Sequence, residues 1–115
     1  MNFVHLVGRA VQEPQLRQSD SGKKVANLNL VTLETWQDKG GKRQERTEFH
    51  RLVFWDRNAD QVVAGVKKGN RLGVDGKIQT RSWRDSQGQQ RYTTEIVVGK
   101  IYLMTENGDV HEEPA

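Results

Sequence analysis

The sequence predicts an all-β domain of five strands, with one short helix between the third and the fourth. Apolar and polar residues alternate along most regular segments, turn-forming residues separate those segments, and a single segment carries helical spacing. The length of 115 residues suits one domain. The chain has no cysteine, which excludes disulfide frameworks, thiolate metal sites and thiol catalysis.

The predicted strands are β-rich runs bounded by turns. Alternation is clearest in the second, where Ala26, Leu28 and Leu30 share one face. Polar stretches that contain glycine at residues 20–22, 38–41 and 85–88 are typical turn signals. The five strands are predicted at residues 3–7, 25–33, 47–55, 71–83 and 92–104.

The predicted helix covers residues 58–69. An apolar stripe at positions i, i+3, i+4 and i+7 consists of Ala59, Val62, Val63 and Val66. Asn58 is the candidate N-cap and Gly69 the candidate stop, whereas Gly65 weakens the last turn. A helix between the third and fourth of five strands is the order of an OB-fold barrel.

Charge is distributed unevenly along the chain. Lys and Arg total 18 and Asp and Glu total 15, for a net charge of +3. Residues 106–115 hold four acids and no base, so residues 1–105 carry 18 bases and 11 acids, a net +7. We therefore expect a basic domain at residues 1–105 that binds a polyanion, and a short, acidic, disordered end at 106–115.

Several classes of protein are not expected from this sequence. Apolar runs do not exceed four residues, and residues 1–20 lack the apolar core of a signal peptide. We therefore expect a soluble cytoplasmic protein without a membrane partner. Phosphate-binding and nucleophile motifs are absent, and His5, His50 and His111 lack ligand spacing. We expect no catalysis, no catalytic residue, no metal and no cofactor.

Aromatic and basic residues are interleaved in the sequence. Trp36, Phe49, Trp55 and Trp83 are flanked by polar or charged residues rather than placed in apolar runs. An exposed ring stacks on any base, and neighbouring Lys or Arg side chains neutralise phosphates. The pattern favours binding of single-stranded nucleic acid.

Strand alternation separates the aromatic residues near residue 50. Phe54 shares its face with Leu52 and is predicted to be buried, whereas Phe49, Arg51 and Trp55 form an outward stripe. Apolar neighbours also predict that Phe3 and Tyr102 belong to the core.

Eight segments resemble one family of proteins. The chain resembles the bacterial-type single-stranded DNA-binding proteins, which are homotetramers of OB-folds, from about residue 2 to residue 98. The segments are NFVHLVGR at 2–9, EPQLR at 13–17, VAN at 25–27, ETW at 34–36, TEFHR at 47–51, KKG at 67–69, GKIQTRSW at 76–83 and RYTTE at 91–95.

The resemblance implies sequence-independent binding and protection of single-stranded DNA during replication, recombination and repair. It places stacking at Trp36, Phe49, Trp55 and Trp83, and it places His50 near a subunit interface. A homotetramer is implied and a dimer stays open. The basic residues predicted along the DNA path are Arg9, Lys39, Lys42, Arg43, Arg51, Arg57, Lys68, Arg81 and Arg84.

Three departures from the family pattern are visible. Phe49 stands where the family usually has Trp, and Trp55 stands where Phe is common, so both positions keep an aromatic ring. The long linker and acidic tip that recruit replication and repair proteins are missing here, which leaves such partners in doubt. A truncated chain and a tail-less phage, plasmid or organelle relative are both consistent with this ending.

Three other functions stay open on the sequence alone. An OB-fold accessory module that binds proteins would not need three exposed Trp residues. A small nuclease would need a carboxylate cluster and a metal. An oligosaccharide-binding barrel would bind independently of salt, which a basic domain does not favour.

Overall fold

The computed structural model describes residues 1–104 and 110–112, the latter as backbone only. These described residues form seven strands and one helix. In chain order the elements are β1 (Val4–Ala10), β2 (Gln15–Gln18), β3 (Lys24–Gln37), β4 (Arg43–Trp55), α1 (Arg57–Gly65), β5 (Arg71–Arg84), β6 (Gln90–Met104) and β7 (Val110–Glu112).

Five of these strands close into a barrel in the order β1-β5-β6-β4-β3. The ring closes where β1 pairs with β3 at Arg9–Val31 and Ala10–Leu30. All barrel pairings are antiparallel except β4 with β6, which is parallel. The two short strands lie outside the ring, with β2 on β3 and β7 on β6. The predicted OB-fold barrel is confirmed, and α1 lies between its third and fourth strands.

The core lies inside the barrel and under α1. Inward positions of β3 and β4 supply Leu28, Leu30, Leu52 and Phe54, all fully buried. Ile101 of β6 also belongs to this cluster. Burying a leucine or phenylalanine side chain contributes roughly 1.5–3 kcal/mol, so these residues stabilise the barrel whose outer surface carries the candidate site.

Two glycines permit close approach of neighbouring strands. A Cβ on Gly8 of β1 would lie 2.2 Å from the carbonyl oxygen of Val31, next to the β1–β3 closure. A Cβ on Gly76 of β5, at the register shift between β5 and β6, would lie 2.3 Å from the carbonyl oxygen of Val97. Only glycine fits at these two positions.

The helix differs from its prediction at both ends. It begins at Arg57 after Asp56, which makes no side-chain capping bond, and it ends at Gly65 rather than near Gly69. Asn58 is therefore not the cap. Its Nδ2 instead donates to the carbonyl oxygen of Val98 at 3.2 Å, which ties the helix to β6.

Two further differences concern residues near the N-terminus. Phe3 is predicted in the core, but 66% of its surface is exposed, because strand alternation places it on the same outward side as the exposed His5 and Val7. The strand β2 is missing from the prediction because its four residues are all exposed and show no apolar alternation. Phe54 is buried as predicted, and Tyr102 is half-buried.

Two long hairpin arms, β3–β4 and β5–β6, project from the barrel. They raise the radius of gyration to 16.1 Å, against about 13 Å for a compact domain of this size. Their tips are built alike. Asp38 Oδ1 accepts from the backbone N–H groups of Gly40 and Lys42, and Asp85 Oδ1 accepts from those of Gln87 and Gln89, all at 2.9 Å.

The expected acidic end at residues 106–115 lies mostly outside the described residues. The described part of it is the backbone of Val110–Glu112, which pairs with Tyr102, Leu103 and Met104 of β6. The division of the chain into a domain at residues 1–105 and an acidic end at residues 106–115 remains a prediction.

Candidate nucleic-acid interface

The outward side chains of β4, β5 and β6 form one continuous surface, here called the outer face. Strand alternation and the pairing register place these residues side by side. The outer face consists of Phe49, Arg51, Val53 and Trp55 of β4, Thr93, Glu95 and Val97 of β6, and Lys77, Gln79, Arg81 and Trp83 of β5.

Three of the four predicted stacking residues lie on the outer face. Phe49, Trp55 and Trp83 are 67%, 38% and 43% exposed. The indole of Trp83 is oriented by a hydrogen bond from its Nε1 to Thr93 Oγ1 at 2.9 Å. Trp36 is 47% exposed, but alternation along β3 places it on the opposite side of its hairpin arm. The structure therefore brings three rings together and not the fourth.

A groove of about 380 Å³ crosses the outer face beside Trp55. Val53 and Val97 form an apolar part of its lining, while Gln79 and Arg81 supply hydrogen-bond donors. Aromatic, apolar and donor groups thus share one open surface, which suits a base with its attached phosphate.

The nine predicted basic residues fall into three groups. Arg51 and Arg81 lie at the centre of the outer face, where both face Glu95. Lys39 and Lys42 lie in the turn of the β3–β4 arm, and Arg43 begins the following strand. The members of the third group lie away from the outer face, namely Arg9, Arg57, Lys68 and Arg84.

Two residues of the third group are bound to backbone. Arg9 Nη1 donates to the carbonyl oxygen of Gly69 at 3.0 Å, and Arg84 Nη1 donates to that of Gly88 at 2.9 Å. Arg57 begins α1, and Lys68 is exposed in the loop that follows the helix. That these four residues contact DNA remains a prediction.

Several polar residues of this surface are missing from the sequence-based prediction. Arg17 of β2 and Asn27 of β3 line the groove with Lys77 and Glu95. With its side-chain amide oriented so that both its nitrogen and its oxygen have hydrogen-bond partners, Asn27 accepts a hydrogen bond from Arg17 Nη2 at 2.9 Å. The alternation of β5 is a usable signal for Lys77, since it places Lys77, Arg81 and Trp83 on one face. No comparable signal exists for Arg17, because β2 has no apolar pattern.

His50, predicted near a subunit interface, is half-buried on the inward side of β4. Its Nε2 lies 2.9 Å from Thr32 Oγ1. This contact is local to the β3–β4 hairpin, so the interface role stays a prediction. Among residues 1–104, no three His, Asp or Glu side chains form a metal-binding group.

Comparison with known proteins decides the family. The model of the "Single-strand binding protein family" matches residues 1–104. The single-stranded DNA-binding protein of Rickettsia conorii is 40% identical over 98% of this chain and 79% of its own length. The chain belongs to the single-strand binding protein family. The family predicted from the eight segments is confirmed.

Solved structures agree with this family assignment. The "Plasmodium falciparum SSB complex with ssDNA" matches with a TM-score of 0.74 and 33% identity, over 99% of this chain and 96% of that one. A deletion mutant of the Thermus aquaticus single-stranded DNA binding protein matches with a TM-score of 0.81 over 96% of this chain and 54% of that one. At 23% identity, the Thermus structure supports the fold alone. In the part of this family member that the structure describes, no helix is long and apolar enough to cross a membrane.

Two carboxylates of this family member have lowered pKa values. Hydrogen bonds from the backbone of Gln89, with Arg91 and the backbone of Gln87, lower the pKa of Asp85 at the β5–β6 tip. Burial alone would raise the pKa of Asp75. Hydrogen bonds from His5 and Tyr102, with the charges of His5 and Lys100, outweigh burial and hold this pKa below its ordinary value.

Asp75→Ala is expected to destabilise the barrel by about 1 kcal/mol at pH 7, because Asp75 Oδ2 accepts from Tyr102 at 2.7 Å and Oδ1 contacts His5. Since the folded pKa is depressed, this contribution is complete above the ordinary value of 3.8 and is lost as the pH falls through the lower folded pKa. Urea denaturation between pH 7 and about pH 2 measures it.

The difference in free energy of unfolding between the wild type and Asp75→Ala should shrink at low pH. A difference that stays constant down to the lowest pH would contradict the predicted role of the ionised Asp75 carboxylate. Asp20→Ala serves as the control because Asp20 is an exposed turn residue. It is expected to change the free energy of unfolding by less than about 0.5 kcal/mol.

Proposed function

We propose that this protein binds single-stranded DNA through the outer face without reading its sequence. The observation that carries the proposal is the grouping of three exposed rings, Phe49, Trp55 and Trp83, around Arg51 and Arg81. The similar Plasmodium falciparum SSB was solved in complex with single-stranded DNA, which supports the same ligand for this chain.

Stacking supplies the sequence-independent part of the affinity. Each base has a π-face, so a base stacked on an exposed ring contributes about 1–3 kcal/mol whatever its identity. Arg51 and Arg81 neutralise phosphates and release counterions. The hairpin-tip residues Lys39, Lys42 and Arg43 extend the basic path along the β3–β4 arm.

The binding is passive and stoichiometric in this proposal. The chain holds single-stranded DNA unpaired and shielded during replication, recombination and repair, without cleaving it and without a cofactor. The matching family and relatives are named for binding, which supports a binding protein rather than an enzyme. The proposed location of the protein is the cytoplasm, where it binds DNA.

A homotetramer is the proposed working form, and it follows from family membership. Four outer faces on one strand turn later binding events into intramolecular ones, which multiplies affinity through effective concentration. The tetramer is therefore expected to bind long strands much more tightly than a single barrel does. Size-exclusion chromatography with light scattering distinguishes the tetramer from a dimer.

A fluorescence titration with dT oligonucleotides tests the proposed function. Stacking on Trp55 and Trp83 is expected to quench Trp emission, with saturation at a fixed number of nucleotides per protomer. With about five phosphates bound per protomer, log K is expected to fall with log salt at a slope near −3.5. Unquenched emission from a folded protein, together with no binding of labelled dT, would contradict the proposal and favour the accessory-module alternative.

A further inference from the structure

Glu95 lies at the centre of the outer face and is only 7% exposed, the one buried charged residue within residues 1–104. Its carboxylate lies between two arginines from different strands. Arg81 Nε of β5 donates to Glu95 Oε1 at 3.1 Å. Arg51 Nε of β4 forms an ion pair with Glu95 Oε2 at 3.6 Å.

Both guanidinium groups use their Nε atoms on this carboxylate. Among the described residues, neither has a further hydrogen-bond or ion-pair partner. The two side chains are 46% and 43% exposed, so their Nη groups are accessible to a ligand. The Nη groups are the part of arginine that binds a phosphate through two parallel hydrogen bonds.

A carboxylate between two arginines also lowers their mutual repulsion. Without Glu95, two neighbouring cations on one small surface would move apart into separate rotamers, and each would be ordered only when DNA binds. Ordering a long side chain at an interface weakens binding by about two- to twelvefold. Because a buried ion pair contributes little net stability, folding alone is a weak reason for this arrangement.

We propose that Glu95 is a positioning residue of the DNA-binding surface. It holds Arg51 and Arg81 side by side with their Nη groups directed toward the phosphates. The inference rests on the proposed function and adds to it a role for an acidic residue on a surface that binds a polyanion.

The proposal predicts an effect opposite to that of simple electrostatics. Removing an acid from a DNA-binding surface should strengthen the binding of a polyanion, since the local potential becomes more positive. If Glu95 positions the arginines, Glu95→Gln instead weakens dT binding. We expect a loss of about five- to tenfold, which matches the cost of ordering a long side chain at an interface.

The experiment measures binding of fluorescently labelled dT by anisotropy, at matched salt, for wild type and Glu95→Gln. Glu48→Gln is the matched control because it makes the same charge change at an exposed residue on the other side of β4. The control is expected to change affinity by less than about twofold. Equal or tighter binding by Glu95→Gln would overturn the proposal.

A double-mutant cycle separates positioning from a purely structural role. In the Arg51→Met/Arg81→Met background, Glu95 has no arginine to position, so Glu95→Gln is expected to leave dT affinity unchanged or to raise it. A structural role predicts the same loss in both backgrounds. Thermal unfolding of each variant confirms that binding is measured on folded protein.

Arg81→Lys keeps the proposal falsifiable if Glu95→Gln fails to fold. Lysine keeps the charge but lacks the Nε–H that donates to Glu95 and the paired Nη groups. We expect about a fivefold loss of affinity for Arg81→Lys, and less than about twofold for the exposed control Arg46→Lys. Equal affinities for Arg81→Lys and wild type would contradict positioning.

These outcomes also distinguish the two proposals. If wild type fails to bind dT, the proposed function is wrong whatever the variants do. If wild type binds and Glu95→Gln binds equally or more tightly, only the role of Glu95 is wrong.

Discussion

Replacing Trp55 and Trp83 together with alanine is expected to weaken dT binding by at least about thirtyfold. Each exposed ring stacks one base, and stacking contributes about 1–3 kcal/mol per base. Both rings lie on the outer face and neither belongs to the buried core. The barrel should therefore keep its fold, and circular dichroism should be unchanged.

The measurement uses anisotropy of labelled dT, since the double variant keeps only Trp36 as an intrinsic probe. Tyr92→Ala is the matched control. Tyr92 is 68% exposed on the same β5–β6 arm, but it pairs with Ser82 on the side opposite Trp83. We expect less than about a twofold change for this control. If Tyr92→Ala weakens dT binding as much as the Trp55/Trp83 double variant does, the outer face is not the binding surface.

Gly8→Ala is expected to destabilise the barrel more than any surface change described above. The added Cβ would meet the carbonyl oxygen of Val31 at 2.2 Å. The obstacle is backbone, which cannot rotate away as a side chain can. Overpacking a tight site typically costs about 1–3 kcal/mol, and a clash with backbone belongs at the upper end or above.

Thermal unfolding measures this effect. A loss of about 3 kcal/mol corresponds to a fall in Tm of roughly 10–20 °C for a domain of this size. Gly99→Ala is the control, because its Cβ would have Asp75 O at 3.8 Å as its nearest neighbour, an ordinary contact. A Tm for Gly8→Ala within a few degrees of that of Gly99→Ala would mean that the β1–β3 closure tolerates a wider separation.

The barrel strands could be predicted because each buries one face. Alternation of Ala26, Leu28 and Leu30 predicts β3 and its inward side. The arms could not be bounded in this way, since beyond the barrel both faces of the hairpins meet solvent and the alternation disappears. The predicted helix end is wrong because glycine signals at Gly65 and Gly69 compete, and the turn at Gly69 belongs to the following loop.

The candidate site could be predicted only where a single strand carries the signal. Phe49, Arg51 and Trp55 share one face of β4 by alternation alone. Glu95 could not be placed between Arg51 and Arg81, since that arrangement depends on β6 lying between β4 and β5. Trp36 has polar and charged sequence neighbours like those of the other three rings and is grouped with them for that reason. Its strand position, however, places it on the opposite side of the arm.

The parallel pairing of β4 with β6 also affects how the chain folds during synthesis. Leu52 and Val53 pair with Ile96 and Val97, and all of α1 and β5 lies between these partners in sequence. The β3–β4 hairpin can form early, but the ring closes only after the last long strand is made. Folds dominated by such distant pairings fold slowly. A nascent chain therefore exposes its apolar inner surface until β6 emerges, and truncation before β6 favours aggregation.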